Sequence, residues 1–333
     1  MDTYNIYKDI NARTQGEIYI GVVGPVRSGK STFIKHFAEK LILPFMSDGA
    51  GKERTKDELP QSAAGRTVMT TEPKFIPREA CVINPAQDIS MKIRLIDCVG
   101  FMIDGATGVV EDGKERLVKT PWYDYEIPFS EAAEFGTRKV IKDHSTVGIV
   151  MTTDGSIGEL PRDSYKAAEA ATIEELKKIG KPFVVVVNSK NPAAKSAAEC
   201  VDEIKKAYGA EAVSLDCEQL TLDDVNRTLE LLLNSFPING IEFYFDRWIE
   251  TLPDDNEIKQ AMVECAGQIL DRITYIKDFN KDSIKVENKY IEDVRSEPVD
   301  MADGIIRLSF KVDENLYYDM LSSIAGEKID NEY

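Results

Sequence analysis

The sequence has little histidine: two residues, His36 and His144, in a chain of 333. That excludes a histidine-rich metal site. Cysteine is also sparse. The five residues (Cys81, Cys98, Cys200, Cys217, Cys265) are odd in number, widely spaced and free of any CxxC pair. Small buried thiols in a reducing, cytoplasmic setting are expected, not a disulfide or metal framework. No apolar run approaches the roughly 18 residues of a membrane span. The N-terminus, Met1 to Asn5, lacks a basic region followed by an apolar stretch, so no secretory signal is read. Positive charge is short: 41 Lys and Arg face 58 Asp and Glu, a formal net charge of −17. Nucleic acid and anionic lipid repel such a chain over a Debye length of about 8 Å at physiological salt. Nucleic-acid binding is not expected, and membrane association requires an intermediary.

What is present is apolar sequence, 43% of the residues, enough for a large α/β core and a smaller second unit. Up to about residue 235 strand-like and helix-like stretches alternate. Glu17 to Val23 is a short apolar run, and Met91 to Asp97 alternates. Val147 to Met151 and Phe183 to Val187 are continuously apolar, as in strands buried on both faces of a parallel sheet. Helices are expected over Ser164 to Ile179 and Leu222 to Phe236. The pattern predicts a doubly wound α/β domain over 1–237. Two long polar stretches, Met46 to Thr71 and Phe101 to Pro128, read as loops. After Pro237 a second α+β module over 238–333 is expected. Its elements are a strand in Ile241 to Leu252, a helix over Glu257 to Tyr275, a strand over Gly304 to Val312 and a short helix over Tyr317 to Ile324.

Gly24-Pro25-Val26-Arg27-Ser28-Gly29-Lys30-Ser31 fits G-x-x-x-x-G-K-[ST] between a strand and a helical run, Thr32 to Leu43. Glycines let the backbone wrap phosphate closely, and loop amides with the helix N-terminus face the negative charge. Gly24, Arg27, Ser28, Gly29 and Thr32 are expected to line the nucleotide. Lys30 reaches the β- and γ-phosphates, and Ser31 holds Mg²⁺. Asp97 ends a strand and opens Asp97-Cys98-Val99-Gly100, a D-x-x-G. Its carboxylate is expected on the Mg²⁺ side and the Gly100 N–H at the γ-phosphate. Between these motifs Thr70-Thr71 stands where a threonine closes over metal and phosphate. The pair leaves open which one does so; Thr71 is assigned to the metal, with Thr70 kept beside it as a catalytic candidate. Phe101 follows the D-x-x-G where a water-orienting glutamine often stands, so slow hydrolysis is expected. Arg27 and Arg66 are candidates to stabilise charge.

Guanine is ordinarily read by N-K-x-D after the strand Phe183 to Val187. Here the segment is Asn188-Ser189-Lys190-Asn191. Asn188 is kept, but the base-covering lysine and the guanine-reading carboxylate are not. Losing paired buried hydrogen bonds removes discrimination by orders of magnitude. ATP is therefore the expected nucleotide.

Several longer stretches carry a resemblance. They are Ile18 to Gly24, Asp57 to Gly65, Thr70 to Phe75, Asp97 to Gly100, Thr120 to Tyr123, Gly136 to Ile141 and Thr152 to Gly155. Together they resemble the stage IV sporulation protein A family, the spore-coat morphogenetic ATPases of endospore formers. The resemblance covers the N-terminal domain and, more loosely, 237–333. It implies descent from translation-factor-type GTPases, ATP hydrolysis, and self-association into a static platform on the forespore for coat assembly. It also implies roles for Lys30 in phosphate binding, Asp97 at Mg²⁺, and Thr70 and Thr71 as sensors. Partners implied are the small amphipathic peptide stage V sporulation protein M and other coat morphogenetic proteins, on the mother-cell side of the forespore surface. The family's C-terminal targeting domain is expected to lie outside this chain. The competing readings are a GTPase-like regulatory switch, a nucleotide-binding structural protein without significant turnover and, more weakly, a metabolic kinase.

Overall fold

The computed structural model describes residues 3–60, 72–86, 89–103, 105, 110–111 and 114–329. The chain divides into two compact units, Met1–Ser235 and Phe236–Tyr333. The first opens with helix α1 (Thr3–Arg13), strand β1 (Glu17–Val23) and helix α2 (Lys30–Phe37). Helix α3 (Ala50–Glu58) follows, then an antiparallel pair, β2 (Lys74–Ala86) and β3 (Ile89–Asp97). Helix α4 (Phe129–Lys139) leads to β4 (Val147–Thr153), α5 (Asp163–Lys178), β5 (Phe183–Asn188), α6 (Lys195–Tyr208), β6 (Ala212–Leu215) and α7 (Leu222–Asn234).

The six strands form one sheet in the order β6-β5-β4-β1-β3-β2. All neighbours run parallel except β2, which lies antiparallel on the β3 edge. This is the doubly wound arrangement that the alternation of elements predicts. Every residue of β4 and β5 is buried, which is why both read as unbroken apolar runs. One sheet face packs Val150, Val185 and Val187 against Ile173, Leu176 and Ile204 of α5 and α6. Helix α7 starts in a reciprocal cap between Thr221 and Asp224, a motif whose loss costs about 1 kcal/mol.

Two expectations are corrected here. Met46 to Thr71 is not all loop, because α3 occupies nine of its residues. Thr55 alone among them is buried, so no apolar periodicity marked the helix. Phe101 to Pro128 holds two small hairpins, Val110–Glu111 with Lys114–Glu115 and Leu117–Thr120 with Tyr123–Pro128.

The second unit is built on a three-stranded sheet of β7 (Gly240–Tyr244), β8 (Ile291–Ser296) and β9 (Ile305–Val312), in the order β7-β9-β8. Alternate residues of β9, Ile306, Leu308, Phe310 and Val312, face inward. They meet Ile258, Met262, Cys265 and Ile269 of a helix over Glu257–Leu270. Phe245 stacks on Phe310 with ring centroids 5.0 Å apart. The strand expected over Ile241 to Leu252 stops at Tyr244, and one helical turn, Arg247–Glu250, follows. Ile249 in this turn and Leu252 just after it both join this core, which an extended chain could not achieve for two residues three apart. The helix expected to Tyr275 ends at Leu270. A closing helix covers Glu314–Ala325.

Candidate nucleotide site

The loop between β1 and α2 is shaped by close backbone approach. Gly24 has φ +129°, and a Cβ there would lie 2.2 Å from the Met151 carbonyl oxygen of β4. Gly29 has φ +90°, and a Cβ there would lie 2.2 Å from Asn188 Nδ2. Glycine is the residue that satisfies both demands. Arg27 also has positive φ, +60°, and is half-buried on the same loop. Ser28 is fully buried and donates through Oγ to Pro25 O at 2.9 Å.

Lys30 opens α2 and is 6% exposed. Its Nζ donates to Pro25 O at 2.6 Å and Gly24 O at 3.3 Å, so the ammonium sits inside the curl of the loop. Burial pushes its pKa below the ordinary lysine value, against the opposing pull of Cys98 and Asp97. One residue on, Ser31 Oγ donates to Asp97 Oδ2 at 2.8 Å. Asp97 ends β3 opposite Val22 of β1, and the parallel register brings it there. Burial raises its pKa despite Ser31 and Lys30. Its Oδ1 is buried with no hydrogen-bond partner among the described residues. Thr32, half-buried, continues the first turn of α2.

Beyond Asp97 the chain returns to the loop. Gly100 has φ +97°, and a Cβ there would lie 2.0 Å from Gly24 O and 2.6 Å from Lys30 Nζ. Val26 N donates to Phe101 O at 3.0 Å. The Phe101 side chain is 4% exposed and packs with Val26, Ile103, Tyr165 and Ala168. It is a core residue, and its backbone, not its ring, serves the loop. Asn188 ends β5, 5% exposed. It donates from Nδ2 to Ser28 O at 3.2 Å and accepts at Oδ1 from Cys217 N at 3.2 Å, tying the loop to the segment after β6.

The structure thus brings Gly24, Arg27, Ser28, Gly29, Lys30, Ser31, Thr32, Asp97, Gly100 and Asn188 to one end of the sheet. Thr70, Thr71 and Arg66 lie outside the described residues. The sequence reading missed a polar cluster after β4. Ser189 Oγ donates to Asp154 Oδ2 at 2.7 Å, and Ser156 donates to Asp154 Oδ1 through N at 3.0 Å and Oγ at 2.6 Å. It also missed a buried clamp in which Arg162 grips Glu169 at 2.6 and 2.9 Å and Thr152 Oγ1 at 3.0 Å. An Asp-Gly turn directly after a buried strand, on the side of the sheet where ligands bind, was the available signal for the first.

Comparison with known families matches the chain in two parts. Residues 1–237 match the family model described as stage IV sporulation protein A, ATPase domain, and residues 238–333 match that family's middle domain. The chain belongs to the stage IV sporulation protein A family. It is 40% identical over 331 residues to stage IV sporulation protein A of Clostridioides difficile (strain 630), covering 99% of this chain and 67% of that protein. To the protein of the same name from Bacillus subtilis (strain 168) it is 38% identical over 330 residues, with the same coverage. Among solved structures it is similar to SsGBP in complex with GDP. That likeness has 14% identity and a TM-score of 0.38, over 69% of this chain and 55% of the other, and does not bear on ligand or activity. No helix among the described residues is long and apolar enough to cross a membrane.

Proposed function

We propose that the chain is a Mg²⁺-dependent ATPase that self-assembles into a static layer on the forespore surface, the base on which the spore coat is built. Residues 1–237 are the catalytic domain and 238–333 a module for contacts. The observation that carries the catalytic part is the Ser31–Asp97 pair, with its unpartnered buried Oδ1, beside the buried ammonium of Lys30. Family membership supports the sporulation role. The place of action follows the family: the mother-cell side of the forespore, reached through a small amphipathic membrane peptide.

A magnesium ion carried by a nucleotide keeps most of its ligands as water and phosphate and needs one or two protein oxygens. Ser31 Oγ and Asp97 Oδ1 supply that kind of donor, and the orphaned carboxylate oxygen fits a hard cation or its water. Thr71, or Thr70 beside it, is proposed as the further donor. When bound, the ion would neutralise charge on the β- and γ-oxygens. The residues' own parts are distinct. Lys30 offers its ammonium to the phosphates, which are stronger acceptors than the two carbonyls it now holds. The loop amides and the start of α2 stabilise charge that develops during transfer to water. Gly100 keeps the end of β3 close against the loop. Phe101, committed to the core, orients no water, which supports slow turnover. The base is proposed to be adenine, since residues 188–191 lack the guanine-reading lysine and aspartate.

The test is turnover of ATP and GTP by the purified chain with Mg²⁺, with assembly followed by sedimentation, for wild type and Lys30→Ala. The expected result is ATP turnover by wild type and a loss of ATP affinity of at least about 100-fold in the variant, for two charge-assisted bonds removed. Normal ATP binding and turnover by Lys30→Ala would overturn the site. Turnover without large species would confine the assembly proposal to longer chains of the family.

A further inference from the structure

The segments that follow β5 and β6 rim the same end of the sheet as the phosphate loop, because Asn188 binds Ser28 O on one side and Cys217 N on the other. In an open parallel sheet a nucleotide lies in the crevice outside the carboxyl ends of the strands. The adenine-nucleotide reading of the site places the purine on these two segments. Their backbone donors are already committed. Ser189 N donates to Leu215 O at 2.9 Å, Lys190 N to Ser156 Oγ at 3.0 Å and Asn191 N to Ser189 Oγ at 3.2 Å. After β6, Cys217 N donates to Asn188 Oδ1, Glu218 N to Asp216 Oδ1 and Gln219 N to Asp216 O.

On the β5 side the bonds of Lys190 N and Asn191 N depend on Asp154. Its carboxylate accepts from Ser189 Oγ, Ser156 N and Ser156 Oγ, and those two serine hydroxyls accept the N–H groups of Asn191 and Lys190. Ser189 is 1% exposed, so the position that carries a base-covering lysine in guanine readers is filled by this network.

At purine position six, adenine presents an amino donor and guanine a carbonyl acceptor. We propose that Asp154 is a specificity-positioning residue. Through the two serine hydroxyls it engages the N–H groups of Lys190 and Asn191, so neither backbone donor is left to meet guanine's O6. The inference rests on the adenine-nucleotide reading of the site and supplies its physical basis. Guanine is disfavoured by the loss of these backbone donors as well as by the missing base-covering lysine and guanine-reading aspartate. A buried acceptor left without a donor is a strong basis for rejection.

The test measures dissociation constants for fluorescent ATP and GTP, each with Mg²⁺, on wild type, Asp154→Ala and Ser156→Ala. Magnesium tripolyphosphate serves as a base-free probe, and circular dichroism checks the fold. Ser156 is exposed, so its variant frees the Lys190 N–H without opening the core. The ratio Kd(GTP)/Kd(ATP) is expected to fall about tenfold in Asp154→Ala and at least about threefold in Ser156→Ala, with tripolyphosphate affinity unchanged, the scale of one or two hydrogen bonds. Ratios held within twofold of wild type in folded variants would overturn the role of Asp154. So would a parallel loss of tripolyphosphate and ATP binding, which would make the cluster a support of the phosphate loop. A wild type with no preference for ATP would instead overturn the adenine reading and, with it, this inference.

Discussion

Replacing Gly100 by alanine tests the closest contact in the site. Two costs arise. The first is conformational: φ is +97°, where a side chain costs about 1–2 kcal/mol. The second is overlap, since the new Cβ would stand 2.0 Å from Gly24 O and 2.6 Å from Lys30 Nζ. The lysine end can yield, but the carbonyl cannot easily do so. Gly24 is itself pressed against Met151 O, and the next turn of the loop is held by Val26 N on Phe101 O at 3.0 Å. Forcing a methyl into such a place costs about 1–3 kcal/mol. Together these give about 2–5 kcal/mol, or roughly 4–20 °C in Tm for a domain of this size. Gly209 supplies the control. It has φ +58°, and nothing lies within 4 Å of where its Cβ would stand, so Gly209→Ala incurs the conformational cost alone. Thermal unfolding by circular dichroism, with titration of magnesium ATP, compares the two. Gly100→Ala is expected to melt below Gly209→Ala and to lose at least about tenfold in ATP affinity, because Lys30 is displaced. Equal melting temperatures and unchanged affinity would refute the close approach of β3 to the phosphate loop.

Arg162→Ala leaves Glu169, whose side chain is 2% exposed, as a buried carboxylate without its bidentate partner. A loss of about 3–5 kcal/mol is expected in denaturant unfolding, and a loss below about 1 kcal/mol would show the pair to be dispensable. Tyr7 donates to Asn226 Oδ1 at 2.6 Å, and burial pushes its pKa from 10.0 up to about 12. A raised folded-state pKa gives stability that is present below the unfolded value and lost as pH rises through the folded one. Wild type should therefore be more stable than Tyr7→Phe at neutral pH, and the difference should shrink or reverse between pH 10 and about 12. A difference that stays constant across that window would contradict the burial of the phenol.

Local sequence settles what neighbouring residues can decide among themselves. The strand-glycine-lysine-helix order over residues 17–43 was readable because positive-φ glycines, a phosphate-facing lysine and a helix start are requirements met within one short segment. The buried strands β4 and β5 declared themselves by unbroken apolar runs, and β9 by alternation. The edge strand β2 did not. Its register shifts between Ile76 and Cys81, so no steady period of two survives, and α3 buries too little to show a period at all. The contacts that make the site work came from the long-range fold: Ser31 with Asp97, Gly100 against Gly24, Asn188 on Ser28 and Ser189 on Asp154. These partners are far apart in the chain. They meet because parallel strands joined by crossover helices deliver successive carboxyl ends to one edge of the sheet, where residues with no local relation become hydrogen-bonding neighbours.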